Sequence, residues 1–266
     1  YVLRLDGIFI DKMNTISNSI NENNKMFQDI DNSAGVIFVS NFSKKLAKKF
    51  YQNIHKPSVV ISNSVSLKEF KSFGPNKRSE LKISDKDFVI LASGSWRRHK
   101  RLEETITFFE RIEKKINNIK LLIIGEVKNK NKNKNIIYAG NIHHHKLSEW
   151  YRTGNIYLHL AWIDHYANTH VEATACGLPS ISSNNGGNIE LIENCESGIV
   201  SKIDEEYKFE MVDFYNPPQP NYKILEEDFM KIYNNYNTFK KNIKTKNIDI
   251  NFAASKYLDF LKEVKR

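Results

Sequence analysis

Two acidic residues, eight positions apart, stand out in segment 161–187, which reads AWIDHYANTHVEATACGLPSISSNNGG. Asp164 follows a strand-like run, and Glu172 lies in the first turn of a segment with helical composition. In a strand-loop-helix unit of a parallel sheet, the loop lies at the carboxyl edge, where open α/β folds bind their ligands. Carboxylates at that edge can accept hydrogen bonds from the hydroxyl groups of a sugar.

The start of the same helix offers a place for phosphate. We expect Asn168 or Thr169 to cap this helix, so that its free N–H groups and the positive end of its dipole face the sheet edge. Such an end attracts phosphate, and the segment therefore predicts a site for a phosphorylated sugar. The alternative is that Glu172 is only a first-turn acid favoured by the dipole and Asp164 only a loop residue.

A second loop with chemistry follows the strand-like run FVILA. It reads SGSWRRHKRL and carries four basic residues where the next helix begins: Arg97, Arg98, Lys100 and Arg101. Small residues at 93–95 would let a ligand approach the backbone, and the cations could neutralise a diphosphate. In a doubly wound sheet both loops lie at the same edge, so we expect them to face one cleft. The alternative is a solvated basic helix start.

The composition fits a folded protein with anionic partners. With 266 residues and 40% hydrophobic content the chain can bury a core. Its net charge of +9 favours anionic partners, and codon bias is the alternative explanation for the many lysines. Cys176 and Cys195 fit no disulfide framework, which indicates a reducing compartment. No apolar run approaches the roughly 18 residues of a membrane span. No signal peptide is visible, and the opening at Tyr1 suggests a trimmed start.

Strand-like and helix-like runs alternate at a spacing typical of an α/β fold with a doubly wound parallel sheet. The pattern restarts after residues 71–87, which are rich in Gly, Pro, Ser and charge. Apolar periodicity over residues 223–266 predicts two final helices.

Two further runs are expected to lie outside the site. Residues 128–135 read KNKNKNKN, which is typical of a solvated surface loop. His143, His144 and His145 are consecutive, so their side chains should diverge rather than bind one metal.

The order and spacing of these runs resemble the carboxyl-terminal half of GT-B glycosyltransferases, in the retaining family 4, also called the glycosyl transferases group 1. The resemblance covers residues 36–201, and YVLRLDG resembles an upstream strand of some members. The runs that carry it are GVIFVS, VVISNSV, SGSWRRHKRL, LLIIGE, IIYAGNI, HVEATACGLPSISSNNGGNIELIE and ESGIV.

The resemblance implies a GT-B type, Rossmann-like fold with a nearly complete carboxyl-terminal domain and a partial amino-terminal one. Residues 1–75 would be the partial acceptor-side domain and residues 76–87 a linker. Residues 88–221 would bind the nucleotide-sugar donor, and residues 222–266 would form carboxyl-terminal helices.

The resemblance also implies roles for the two acids. Asp164 matches the family's first acid, which contacts donor-sugar hydroxyls and is usually Glu, and Glu172 matches the second, which binds the nucleotide ribose. Asp6 and Arg4, at the end of the first strand, are the only polar groups of the acceptor side that we place near the cleft.

For the phosphates, the family's Lys falls on Lys100, and its usual Arg falls on Ser95, so Arg97 or Arg98 would replace it. The expected catalytic residues are Lys100, Arg97 and Asp164. The expected donor-binding residues are Gly94, Ser95, Arg98, Gly140, Asn141, Ile142, His165, Asn168, Thr169 and Glu172.

The implied reaction is transfer of a sugar from a nucleotide diphosphate sugar to an acceptor hydroxyl, with retention of the anomeric configuration. Protein cations would stabilise the departing diphosphate, so we expect neither a metal nor a cofactor. The acceptor would be a glycan or a lipid-linked sugar. The alternative, from a different class, is a non-catalytic nucleotide-sugar-binding module without a complete acceptor domain.

The remaining partner predictions rest on charge. No nucleic-acid recognition motif is present, so nucleic acid is not expected as a partner. The amphipathic run SKKLAKKFY could dock on an anionic membrane, and a soluble helix with one solvated basic face is the alternative. The expected location is cytoplasmic, and membrane docking would place the protein at the inner membrane face.

Overall fold

Two parallel β-sheets organise the computed structural model, which describes residues 1–13 and 16–265. The strands are β1 (Val2–Leu5), β2 (Gly35–Phe38), β3 (Ser58–Val60), β4 (Phe88–Ser93), β5 (Ile119–Ile124), β6 (Ile136–Gly140), β7 (Ile156–His159), β8 (Ser180–Ser183) and β9 (Gly198–Ser201). The helices are α1 (Ile16–Asn32), α2 (Asn41–Phe50), α3 (Leu102–Glu113), α4 (His144–Tyr151), α5 (Asn168–Ala175), α6 (Asn188–Cys195), α7 (Tyr222–Asn234), α8 (Tyr236–Asn242) and α9 (Ile250–Lys265).

The larger sheet is buried on both faces. Its central strand β4 reads FVILAS, and alternate residues point to opposite sides: Val89 and Leu91 join one hydrophobic core, and Ile90 joins the other. Helix α3 covers the second core with the buried Phe108 and Phe109. The near-continuous apolar strands are typical of parallel sheets with helices on both faces, and the predicted α/β class is confirmed.

The strand order of this sheet is β6-β5-β4-β7-β8-β9. The chain first adds β5 and β6 on one side of β4, and then returns to the other side with β7, which pairs with β4 in parallel register. In open α/β sheets, ligands bind at the carboxyl ends of the strands where the order reverses. The loops that follow β4 and β7 are the two that carry the predicted site.

The smaller sheet has the order β1-β2-β3 and is covered by α1, α2 and α9. Helix α9 crosses from the end of the chain back to this sheet. Phe260 packs there so closely that a Cβ on Gly35 would lie 2.9 Å from its ring. Helix α2 corresponds to the predicted amphipathic run, with Leu46 and Ala47 buried and three of its lysines exposed, at 45, 48 and 49.

The end of the chain differs from the prediction of two helices. Among the described residues, three α-helices follow residue 221: α7, α8 and α9. Asn235 separates the first two, because its side-chain amide donates to the carbonyl of Lys231 and its backbone leaves the helical conformation. Asn competes for backbone hydrogen bonds in this way and therefore favours helix ends.

The segment between the two sheets, residues 61–87, contains no α-helix and no strand. Its apolar side chains Phe70 and Ile83 are buried in a core of the larger sheet. The proposed domain boundaries stay a prediction.

The KNKNKNKN loop lies on the surface and is bound to α3 by its asparagines. Its lysines are exposed, but the side-chain amides of Asn131, Asn133 and Asn135 bind the carboxylates of Glu110 and Glu113 on α3. None of the helices in residues 1–13 and 16–265 is long and apolar enough to cross a membrane.

Arg101 holds the start of α3 to the far end of the larger sheet. Its side chain and that of Asp204 are both 0% exposed, and the guanidinium donates to the two carboxylate oxygens at 2.9 and 2.6 Å and to the carbonyl of Pro218 at 2.7 Å. The charge of Arg101 is therefore matched within the core and does not point into the cleft.

Removing one partner of this pair should strongly destabilise the fold. We expect Asp204→Ala to lower the free energy of unfolding by about 3–5 kcal/mol, because it leaves the Arg101 charge buried and unpaired. Urea unfolding measures the change. The control Glu22→Ala removes an exposed ion pair with Lys25 and should change the free energy by less than about 1 kcal/mol. Equal unfolding midpoints for the two variants would contradict the assignment.

Candidate functional site

The loop after β4 leaves its backbone open at one point. A Cβ built on Gly94 would meet no atom within 4 Å, and Ser95 is exposed. Trp96 anchors the loop to the end of β5, because its indole Nε1 donates to the carbonyl of Ile124 at 3.1 Å. Gly125 packs against Gly94, and a Cβ on Gly125 would lie 2.2 Å from the Gly94 carbonyl oxygen. The loop can therefore hold a ligand close to its main chain.

The four basic residues of this loop have different partners. Arg98 donates to both oxygens of the buried Glu104, at 2.8 and 2.6 Å, and Arg101 is held by Asp204. Lys100 pairs with the Asp164 carboxylate. Arg97 is exposed and has no side-chain hydrogen bond within the described residues. Of these four, Arg97 is therefore the one whose side chain has no partner among the described residues. Lys100 would meet a ligand beside Asp164, and Arg98 would have to leave Glu104 first.

The loops after β4 and β7 are joined by backbone and side chain. The backbone N–H of Trp162 donates to the carbonyl of His99 at 2.9 Å, next to the Lys100–Asp164 ion pair. Behind Asp164, the N–H of Gly187 donates to its carbonyl at 2.8 Å. A Cβ on Gly186 would lie 2.2 Å from the same oxygen, so this contact requires glycine.

Asp164 is ionised by its surroundings. Burial would raise the pKa of its carboxyl group, but Lys100 and the neighbouring His159 act in the other direction and lower the pKa below its usual range. His159 Nε2 lies 3.4 Å from the carboxylate, at the end of β7, and is itself buried. Burial lowers the pKa of His159, so its ring is neutral at physiological pH.

Helix α5 presents free N–H groups at its start. The helix begins at Asn168 after the N-cap Ala167, so the expectation that Asn168 or Thr169 caps it is wrong. The N–H of Ala167 is bound by Asn188, and the Thr169 hydroxyl accepts from Tyr157 at 2.9 Å. In the part of the chain that is described, the N–H groups of residues 168 and 169 have no protein acceptor. They remain available to an anion.

Glu172 lies one turn into α5 and is 6% exposed. Tyr151 donates to its Oε2 at 2.8 Å, and His144 Nε2 lies 3.4 Å from its Oε1. Burial raises the pKa of the Glu172 carboxyl, while Tyr151 and His144 act in the opposite direction. The Tyr151 hydroxyl also lies 3.0 Å from the hydroxyl of Ser93, so one chain of hydrogen bonds connects the β4 loop with α5.

The loop after β6 joins the same edge of the sheet. The Gly140 carbonyl accepts from the N–H of Gly125 at 2.8 Å. Because Gly125 also packs against Gly94, the start of the loop after β5 contacts both the loop after β4 and the end of β6. Gly140 has a φ of +69° and open space at its Cβ position, Asn141 is exposed, and Ile142 packs on the core. The loop leads into α4, which carries His144.

His165 has a different position from the other predicted donor-binding residues. Its imidazole faces the smaller sheet, where Nδ1 lies 3.1 Å from the Ser43 hydroxyl. A Cβ on Gly7 would lie 2.4 Å from the ring. The side chain therefore fills a contact between the two sheets.

Sequence reasoning missed Tyr151 and His159. Tyr151 is fully buried, and its place beside Glu172 depends on how α4 packs against α5. His159 carried a usable signal: in the run IYLH it occupies the same strand face as Tyr157, where a buried polar residue is unusual.

The three consecutive histidines separate. The rings of His143 and His145 stack with centroids 5.8 Å apart, whereas His144 faces Glu172. Among the described residues, no group of three or more His, Cys, Asp or Glu side chains is arranged to hold a metal ion.

Solved structures share this fold at low sequence identity. Sucrose-phosphate synthase from Thermosynechococcus elongatus aligns with a TM-score of 0.68 and 16% identity, over 87% of this chain and 58% of that one. Pneumococcal O-GlcNAc transferase GtfA, in complex with UDP and GlcNAc, gives 0.68 and 14%, over 92% and 48%. Anabaena Alr3699/HepE, in complex with UDP and glucose, gives 0.65 and 15%, over 98% and 71%.

The chain thus spans 58% of the synthase and 48% of the transferase GtfA. No curated protein matches the sequence. Residues 74–210, more than half of the 266, match the family described as Glycosyl transferases group 1. The match contains the loops after β4, β5, β6 and β7 that form the site, and the chain belongs to the glycosyl transferases group 1.

Proposed function

We propose that this chain binds a nucleotide diphosphate sugar and transfers the sugar to an acceptor hydroxyl with retention of configuration, as a family 4 enzyme. One observation carries the proposal. The Lys100–Asp164 pair lies on the loops that lead to α5, whose N–H groups at residues 168 and 169 have no acceptor within the described residues, and Glu172 follows one turn later. Cations, helix amides and two carboxylates at one sheet edge match the parts of such a donor: diphosphate, sugar and ribose.

The diphosphate would lie between the β4 loop and the start of α5. Lys100, Arg97 and the N–H groups of residues 168 and 169 can together bind its oxygens as negative charge develops on departure. Fixed donors of this kind replace the divalent cation that other transferases use, so we propose a metal-independent reaction without a cofactor. The exposed backbone at Gly94 and Ser95 allows the close approach.

The two carboxylates would hold the two sugars of the donor. Asp164 is ionised and only 13% exposed, which suits it to accept hydrogen bonds from hydroxyls of the transferred sugar. Glu172 Oε1, which faces His144, would accept from the ribose diol. The loop at residues 140–142 would lie beside the base. Because two of the solved structures that share the fold are complexes with UDP, we propose uridine as the base to test first.

The acceptor side is proposed with less detail. The smaller sheet would form part of an acceptor-side domain, and a glycan or lipid-linked sugar would supply the hydroxyl in glycan biosynthesis. The exposed lysines of α2 would favour an anionic membrane surface, at the cytoplasmic side. A non-catalytic nucleotide-sugar-binding module is the second candidate, favoured because the groups assigned to the donor all lie at the edge of the larger sheet.

Donor binding tests the proposal directly. We expect UDP and UDP-glucose to bind in the presence of a chelator, and Lys100→Ala to weaken binding by about 10- to 150-fold, since a charge-assisted hydrogen bond contributes about 1.5–3 kcal/mol. Titration calorimetry measures both affinities. The control Lys86→Ala removes an exposed lysine before β4, at the opposite edge of the sheet, and should leave binding unchanged. Absence of heat with UDP, GDP and their sugars would refute the proposal.

Turnover separates the enzyme from the binding module. We expect the chain to release the sugar of its donor, or transfer it, at the same rate with and without a chelator. Proton NMR should show first a product with the anomeric configuration of the donor. Donor binding without any turnover would support the non-catalytic module, and a product of inverted configuration would exclude the retaining mechanism.

Glu172 should trade stability for binding. A carboxyl whose pKa is higher in the folded than in the unfolded protein favours the fold at acidic pH, and its ionisation weakens the fold as pH rises. We therefore expect Glu172→Gln to raise Tm at about pH 7, to change it little below about pH 4, and to weaken UDP binding. Thermal unfolding at both pH values and calorimetry measure these effects.

The matched control is Glu193→Gln, an exposed glutamate on α6 that should change neither quantity. An equal Tm shift of Glu172→Gln at both pH values would show that burial does not disfavour the ionised form. Unchanged UDP affinity would remove Glu172 from the ribose site.

A further inference from the structure

The loop after β7, which carries Asp164, is attached to the smaller sheet through His165. The imidazole Nδ1 lies 3.1 Å from the Ser43 hydroxyl, and the ring is tilted against Phe42 with centroids 5.9 Å apart. The backbone carbonyl of the same residue accepts from the Ser40 hydroxyl at 2.8 Å. Ser40 is the N-cap of α2 and also accepts from the N–H of Ser43, so both contacts of His165 end on one helix start.

The other side of the imidazole is closed by the loop that follows β1. A Cβ on Gly7 would lie 2.4 Å from the ring atoms Cδ2 and Nε2, so this position has room only for glycine. The backbone of Ile8 faces the same ring. Asp6, the polar group that the sequence places at the acceptor side of the cleft, directly precedes this contact. One side chain thus touches both α2 and the loop that carries Asp6.

Two further contacts hold the same surfaces together. Glu190 on α6 accepts from the N–H groups of Asn41 and Phe42 at the start of α2, both at 2.9 Å. Asn63, after β3, donates to the carbonyl of Tyr166 at 2.8 Å. His165 lies between them and is the immediate neighbour of Asp164. A displacement of its ring would move the Asp164 carboxylate relative to the smaller sheet.

We propose that His165 is a positioning residue that fixes the smaller sheet beside Asp164, and that it does not bind the donor. The proposal rests on the proposed transfer function. The nucleotide would bind to the larger sheet alone, whereas reaction at the sugar requires the acceptor side to stand next to it. Loss of the His165 contact therefore lowers kcat and leaves nucleotide affinity nearly unchanged.

The experiment compares His165→Ala with His165→Asn, whose amide can keep the bond to Ser43. Hydrolysis of UDP-glucose gives kcat, and calorimetry with UDP gives Kd. We expect kcat of His165→Ala to fall by about 10- to 100-fold, the effect of a displacement near 1 Å, and Kd to change by less than about 3-fold. His165→Asn should recover part of kcat. The exposed His55→Ala is the control and should match the unsubstituted protein.

A steric variant tests the same contact from the other side. Gly7→Ala places a methyl group where the ring lies, so we expect it to lower kcat as His165→Ala does. Because both changes act through one contact, the double variant should be no worse than the single ones, whereas independent effects would multiply. Multiplied effects, or an unchanged kcat in His165→Ala, would overturn the proposal.

Hydrogen exchange gives a readout that does not depend on activity. His165→Ala should speed exchange of the amides at residues 6–10 and 40–43, while Tm shows that the chain is folded. If the unsubstituted protein neither binds nor hydrolyses the donor, the proposed function fails, and the exchange result still decides whether His165 joins the two sheets. If it does both and His165→Ala matches it in kcat and in exchange, only this inference fails.

Discussion

The chain leaves β4 on one side of the larger sheet and returns to β7 on the other, and the crevice opened by this reversal is where the charged side chains meet. Parallel pairing of β4 with β7 sets both loop starts at the same edge, so that Lys100 and Asp164, 64 positions apart, form an ion pair. Helix α5 follows β7 and must begin at that edge. The cations, the acid and the helix amides therefore share one location because of strand order alone.

The pKa values of the two acids of the site are shifted in opposite directions. Asp164 is next to a cation and a histidine, which together overcome its burial and keep it ionised. Glu172 is next to a tyrosine and a more distant histidine, which do not fully offset burial. One carboxylate is thus satisfied before a ligand arrives, whereas the other is stabilised when hydroxyl groups approach it. A fold keeps such a buried acid at some loss of stability where a function requires it.

Apolar and polar contacts both join the two sheets: Ile163 and Tyr207 share a hydrophobic cluster with Ile8 and Leu46. Serine hydroxyls, an asparagine amide and a glutamate also reach across, and the rings of His165, Tyr207 and Phe209 pack against Phe42. The residues that cross between the sheets therefore influence how the smaller sheet faces the site at the edge of the larger one.

The class of fold, the two loops and the edge at which they meet could be predicted from the sequence, because strand and helix periodicity and the geometry of parallel connections are local properties. The sequence also placed Glu172 one turn into a helix. It did not determine which of the four basic side chains reach the cleft. Arg98 is bound by Glu104 and Arg101 by Asp204, 103 positions away.

The same limit applies to the helix cap and to His165. Ala167 replaces the predicted caps because Asn188, from another helix, binds its N–H group. The His165 ring faces the smaller sheet because Gly7, in the loop after β1, leaves space for it. These orientations depend on tertiary packing. A buried charge or ring takes the partner that offsets its desolvation, and packing brings that partner close even when it is distant in the sequence.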